Sequence, residues 1–91
     1  SEPAGDLGVV LAVASSFRDV PLDSGTVVFG EVGLGGEIRA VSRVEARLAE
    51  AKQLGFERAM LPKANAKGLR SPKGIELLPV AKLSEAIDLV A

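Results

Sequence analysis

Four cations stand within eleven positions of the stretch PKANAKGLRSPKGI (62–75): Lys63, Lys67, Arg70 and Lys73, with no acid among them. Cations spaced this way on a loop can each meet a phosphate of a nucleic-acid backbone, as points of charge rather than readers of bases. No aromatic residue is interleaved to stack on a base, so any such contact would carry no base preference. The plainer reading of a charge run is a solvated loop. Arg39 and Arg43 are the next cations to consider should the loop not be the contact surface.

A second place for chemistry is the start of the chain, where Pro3-Ala4-Gly5-Asp6 runs into LGVVLAVASSF. A loop-to-helix junction gathers free backbone N–H groups, a suitable frame for a nucleophile or an anion. The residue displayed in that frame is Ala4, which has no reactive atom. The glycine cluster GEVGLGGEIR (30–39) lacks the Lys-Ser or Lys-Thr pair of a phosphate-binding loop, and it also fails the G-x-G-x-x-G pattern. It reads as a hairpin turn. Glu31 with Glu37, and Asp19 with Asp23, are acids close in sequence whose separation nothing fixes, so general acid–base work is not assigned to them.

Composition excludes more than it supplies. With no Cys and no His, disulfides, Cys/His zinc sites and Cys–His or Ser–His–Asp nucleophile systems are ruled out. A net charge of −1 means that the chain as a whole is no electrostatic binder of nucleic acid, so any basic surface must be local. The hydrophobic fraction is 47% but aromatics are only 3%, three Phe, which leaves the core to Val, Leu, Ile and Ala. That much aliphatic surface in 91 residues suggests cover from partner chains or from further segments. The apolar run 7–14 follows Glu2 and Asp6 rather than a basic region, and it is too short to span a bilayer. Neither a signal peptide nor a membrane anchor is expected.

The elements that must position these residues follow from periodicity. A helix over roughly 5–17, apolar on nearly every side, is expected to be buried. TVVFGEV (26–32) reads as one strand, GLGG (33–36) as a turn and EIRAV (37–41) as the second strand of a hairpin. Ser42 and Glu45 have the spacing of a capping box, which predicts a helix from Arg43 to a stop at Gly55. FERAML (56–61) and IELLPV (75–80) read as strands, and KLSEAIDLVA (82–91) as a last amphipathic helix. The order implies a single α/β domain with a mixed sheet. The unit 37–61 suggests a crossover that pairs its two strands in parallel.

Taken together, the Pro3-Ala4-Gly5 junction, FGEVGLGGEIR and the helix after Ser42 resemble the proteolytic domain of the Lon family. A closer resemblance, on EPAGDLGVVLAVASSFRD, VVFGEVGLGGEIRAV and GFERAMLPKANAKG, is to the carboxy-terminal Lon-like domain of the bacterial RadA (Sms) DNA-repair family. The resemblance covers nearly the whole chain. It implies a Lon proteolytic-domain-like, ribosomal protein S5 domain 2-like fold, here the carboxy-terminal portion of a domain whose first strands precede residue 1. Aligned without a gap, the serine of the Ser–Lys dyad falls on Ala4 and the lysine on Arg47. Alanine offers no nucleophile, and a guanidinium stays protonated and cannot serve as the base.

The resemblance therefore implies a non-catalytic module of an ATP-dependent DNA repair and recombination protein, serving ring assembly and DNA binding. The alternative, an ATP-dependent Lon-type serine peptidase, lacks its dyad. No cofactor is expected in the module itself, and ATP, Mg and Zn belong upstream in the parent protein. The implied partners are DNA, through Lys63, Lys67, Arg70 and Lys73, and further copies in a homo-oligomeric ring such as a hexamer. The implied location is the cytoplasm, with no membrane contact.

Overall fold

The computed structural model describes residues 5–8, 25–70 and 72–90. The β-branched run 26–32 does form extended structure, but Gly30 divides it. β2 (Thr26–Val28) lies in a parallel sheet with β5 (Arg58–Pro62) and β6 (Glu76–Val80), in the order β2-β5-β6. β3 (Glu31–Val32) belongs to an antiparallel sheet with β1 (Gly5–Asp6) and β4 (Ile38–Arg39), in the order β1-β3-β4. At the break, Phe29 N–H still donates to Met60 C=O at 2.8 Å, and Gly30 C=O accepts from Leu7 N–H at 2.9 Å. Gly30 has φ +143°, and a Cβ there would meet Ile38 Cγ2 at 3.2 Å and Leu7 Cδ2 at 3.3 Å. Only a residue without a side chain lets one segment change sheets here.

The α/β class is the one expected, but three features of the expected layout are corrected. First, Gly5 and Asp6 are not helical; they pair with Val32 and Glu31, and helical geometry begins at Leu7. The remainder of the expected first helix, residues 9–17, lies outside the described residues. Second, the parallel and antiparallel pairings occupy separate sheets among the described residues. Third, β4 and β5 do not pair. β4 is bonded on one edge to β3, with Val32 opposite Ile38, and on the other Ile38 N–H donates to Ala81 C=O at 2.9 Å. With both edges taken, β4 has no place for β5, whose parallel partners are β2 and β6.

The parallel sheet has two buried faces, set by the alternation of side chains along each strand. Val27, Ala59 and Leu77 face one way, onto Leu48 and Ala51 of α1 (Val44–Gln53), with Phe56, Leu69 and Ile75. Val28, Met60, Leu78 and Val80 face the other way, onto Leu7, the hairpin residues Val32 and Ile38, and Ala86 and Ile87 of α3 (Leu83–Val90). Leu7 and Leu48 are wholly buried, one in each cluster, each stabilising by about 2–3 kcal/mol.

The helix ends explain where the loops go. α1 starts at Val44, one residue later than expected, and no capping box forms: Arg43 is its N-cap in left-handed geometry (φ 58°), without a side-chain cap bond. Its far end follows the sequence closely. Gly55 (φ +95°) donates to Lys52 C=O and Phe56 N–H to Ala51 C=O, the paired bonds of a Schellman stop. At the start of α3, Glu85 accepts from the backbone N–H groups of Ala81 (2.7 Å) and Lys82 (3.1 Å), half of a capping box. Those two bonds, reinforced by Lys63 and Lys82, hold the Glu85 carboxyl below the usual glutamate range. Glu37 is also lowered, first by backbone hydrogen bonding and then by its bond from Arg39.

Gly30→Ala is expected to combine strain with a collision and to destabilise by about 2–3 kcal/mol. Gly55→Ala meets nothing within 4 Å and should cost only the left-handed backbone penalty, about 1 kcal/mol. Urea melts followed by circular dichroism check the ranking, and equal midpoints for the two variants would refute the close approach at Gly30. The lowered acids add a pH dependence. Their stabilisation is complete above the unfolded glutamate pKa of about 4.3 and is lost as pH falls through their lower folded values. A Glu37→Gln Glu85→Gln variant should therefore lose less stability than the parent between about pH 5 and pH 2 in the same melts.

Candidate nucleic-acid interface

The basic stretch leaves the parallel sheet at its carboxyl edge, where Pro62 ends β5 fully buried. A single helical turn, α2 (Lys63–Ala66), follows, and Leu69 then packs into the α1-side cluster. These two anchors, Pro62 and Leu69, fix where the cations between and beyond them emerge. Lys63 is exposed and lies close enough to Glu85 to contribute to its lowered pKa. Lys67 is exposed on the wall of a shallow cleft of about 410 Å³, which Arg43, Val44, Glu45 and Ala46 from the start of α1 also line. Arg70 is exposed beyond Leu69. Lys73 is exposed next to Gly74, where a Cβ would stand 3.5 Å from Lys52 Cε, so this turn runs beside the last turn of α1. Three of the four cations thus occupy distinct surroundings: Lys63 by α3, Lys67 at the start of α1, Lys73 at its end.

One side chain that the sequence reading did not single out organises this region. Asn65 accepts a hydrogen bond from Val41 N–H at 2.8 Å and donates through Nδ2 to Val41 C=O at 3.0 Å. The amide thus completes both backbone hydrogen bonds of a residue just after β4, as a neighbouring strand would. With Val41 held, the chain reaches α1 within the next residues and does so through Arg43 in left-handed geometry. That conformation is uncommon for a long side chain and costs about 1–3 kcal/mol. A signal for Asn65 was present in PKAN, since an asparagine one turn after a proline is suited to bonding backbone groups. Its partner, 24 residues earlier, is not legible from local pattern.

Arg43 and Arg47 share a second groove of about 240 Å³ with Ala46 and Glu50. Arg47 Nε donates to Ser42 C=O at 2.9 Å, which ties its guanidinium back over the start of α1. Ala4, the other residue of the degenerate dyad, lies outside the described residues. Arg39 pairs with Glu37 at 3.2 Å on the hairpin. Among the described residues the side chains of Arg43 and Lys67 make no ion pair, although Glu45 stands on the same cleft as both. No group of three or more acids, Cys or His that could hold a metal occurs among the described residues. No helix among them is long and apolar enough to cross a membrane.

Comparison with known proteins places the chain in a family. The family model described as ChlI, subunit ChlI of Mg-chelatase, matches residues 3–65, well over half of the chain. DNA repair protein RadA of Bacillus subtilis is 52% identical over 94% of the chain, which covers 19% of that protein. DNA repair protein RadA of Escherichia coli is 46% identical over 98% of the chain, again 19% of its own length. That of Synechocystis is 49% identical over 94% of the chain and 17% of its own length. The chain thus spans about a fifth of the length of the curated relatives it matches. It belongs to the family described as ChlI, subunit ChlI of Mg-chelatase, and is homologous to a segment of the DNA repair proteins named RadA.

Proposed function

We propose that the chain is a non-catalytic, Lon-like module of a RadA-type, ATP-dependent DNA repair and recombination protein, and that it contacts DNA and supports ring assembly. The observation that carries this reading is the 42–52% identity, over nearly the whole chain, to proteins named DNA repair protein RadA. The RadA-like residues VVFGEVGLGGEIR build the strand switch and the hairpin, and PKAN supplies the Asn65 clamp. Those features support treating the resemblance as one of fold as well as of sequence. On this reading the fold is Lon proteolytic-domain-like and ribosomal protein S5 domain 2-like. ATP, Mg and Zn serve the remainder of the parent protein, which works in the cytoplasm as a homo-oligomeric ring such as a hexamer.

The absence of catalysis rests on residue chemistry. A Ser–Lys mechanism needs a hydroxyl and an amine able to give up its proton, and Ala4 and Arg47 provide neither. DNA contact is assigned to Lys63, Lys67, Arg70 and Lys73, all exposed and all on the segment after β5. With no aromatic residue among them, the contact is to phosphate and indifferent to sequence.

Two measurements on the full-length protein test the reading. Incubation with unfolded casein and with a serine-reactive fluorophosphonate should give neither cleavage nor labelling, and labelling that maps to this chain would overturn the non-catalytic assignment. Duplex DNA binding followed across a salt series should have a log–log slope near −3.6 if all four cations meet phosphates. Reversing the charges of Lys63 and Lys67 should flatten that slope to about −1.8, and an unaltered slope would move the interface off this loop.

A further inference from the structure

Arg43 stands outside the four-cation contact set and is only its fallback, yet the structure brings it to the same cleft as Lys67. The two come from segments far apart in sequence, the connection before α1 and the turn after α2, and both face one cleft of about 410 Å³. The cleft is open and has no aromatic residue in its lining, so it offers no surface for stacking a base. Glu45 is the one acid on its wall, against two cations. The adjoining groove adds Arg47 and Glu50, which keeps the balance at one net positive charge. Both cations are exposed, and neither side chain is engaged in an ion pair among the described residues.

What holds the two walls at their separation is Asn65. Its amide bonds both backbone groups of Val41, on the Arg43 wall, while its own backbone lies two residues before Lys67, on the other. We propose that this cleft is a phosphodiester-binding site for DNA, with Arg43 and Lys67 as contact residues and Asn65 as the positioning residue that sets their spacing. The inference rests on the DNA-contact reading above and deepens it: one phosphate group is gripped from two segments rather than met by lysines in series along a loop. Two cations converging on one anion lose affinity when their separation changes even if both charges remain. The charge-preserving variant Asn65→Ala should therefore weaken DNA binding.

The test is a double-mutant cycle in the full-length protein, read by fluorescence anisotropy with a labelled duplex over a salt series. Arg43→Ala Lys67→Ala should lower the magnitude of the log–log salt slope by about 0.9, the share of the one phosphate that the two cations neutralise. Asn65→Ala alone should weaken binding about fivefold, and less than about twofold when added to Arg43→Ala Lys67→Ala, because neighbours that act together are not additive. Asn65→Asp supplies a second readout. Its protonated acid can still accept from Val41 N–H and donate to Val41 C=O, so its deficit relative to the parent should shrink as pH falls into the aspartate range, between about pH 5 and pH 4.

An equal factor for Asn65→Ala in both backgrounds would mean that Asn65 acts through general stability, and the positioning role would fall while the DNA reading stands. Parent-like binding by Arg43→Ala Lys67→Ala, together with weakening by charge reversal at Lys63, would remove the cleft and keep the loop as the interface. Failure of the unaltered protein to bind the duplex would overturn the DNA reading and the cleft with it.

Discussion

The architecture turns on one backbone requirement, the passage of residues 26–32 from the parallel sheet into the antiparallel one at Gly30. Phe29 is still bonded to β5, and two residues later Glu31 is bonded to the hairpin. Gly30 sits between Ile38, Leu7 and Pro62, so the second sheet, the start of the chain and the end of β5 all converge on a position with no side chain. Because the two sheets are linked so tightly there, the hairpin is pressed onto one face of the parallel sheet. The other face is left to α1, and the two hydrophobic clusters follow from that division.

A second constraint acts at the carboxyl edge of β5. Asn65 stands in for a strand beside Val41, which joins the hairpin's exit to the segment after β5. The join has a conformational consequence at Arg43, held in the left-handed region where glycine or asparagine would be cheaper. Strain of that size persists only when the surroundings over-determine it, and here the surroundings are two hydrogen bonds on Val41 and the first turn of α1. The Arg47 bond to Ser42 C=O satisfies a carbonyl that the turn leaves free. The cleft between Arg43 and Lys67 is thus a by-product of how the chain closes, set by backbone bonding rather than by attraction between side chains.

Much of this was legible in the sequence where the determinant is local. The hairpin followed from GLGG between two strand-like runs, the stop of α1 from Gly55, and α3 from its apolar spacing. Reading failed where a distant partner decides. Gly5 and Asp6 look like the start of a helix until the hairpin offers them an edge. Ser42 and Glu45 have capping-box spacing, but the grip on Val41 brings the chain in at an angle that makes Arg43 the N-cap. β4 looked like the partner of β5 because the two flank a helix, whereas the segment 81–83 had already filled its free edge. The basic stretch read as one patch because sequence spacing hides the anchoring of Pro62 and Leu69, which sends its lysines to separate surroundings.

The distribution of bonded and unbonded charge bears on how a chain of net charge −1 could meet a polyanion. Glu37 and Glu85 are both committed to backbone N–H groups, at Gly35 and at Ala81 and Lys82, where they fix a hairpin turn and a helix start. Their negative charge is balanced by partial positive charge on those amides. Arg43 and Lys67 have no such partner among the described residues, so their fields extend into solvent. What a phosphate meets is the local excess and not the formal total, because screening confines each charge to roughly 10 Å. On that argument the cations are unequal. Lys63 is partly offset by Glu85, Lys73 stands on the turn beside the end of α1, and Lys67 shares a cleft with Arg43. A loop that reads as four equivalent charges becomes, once folded, one paired site with weaker flanks.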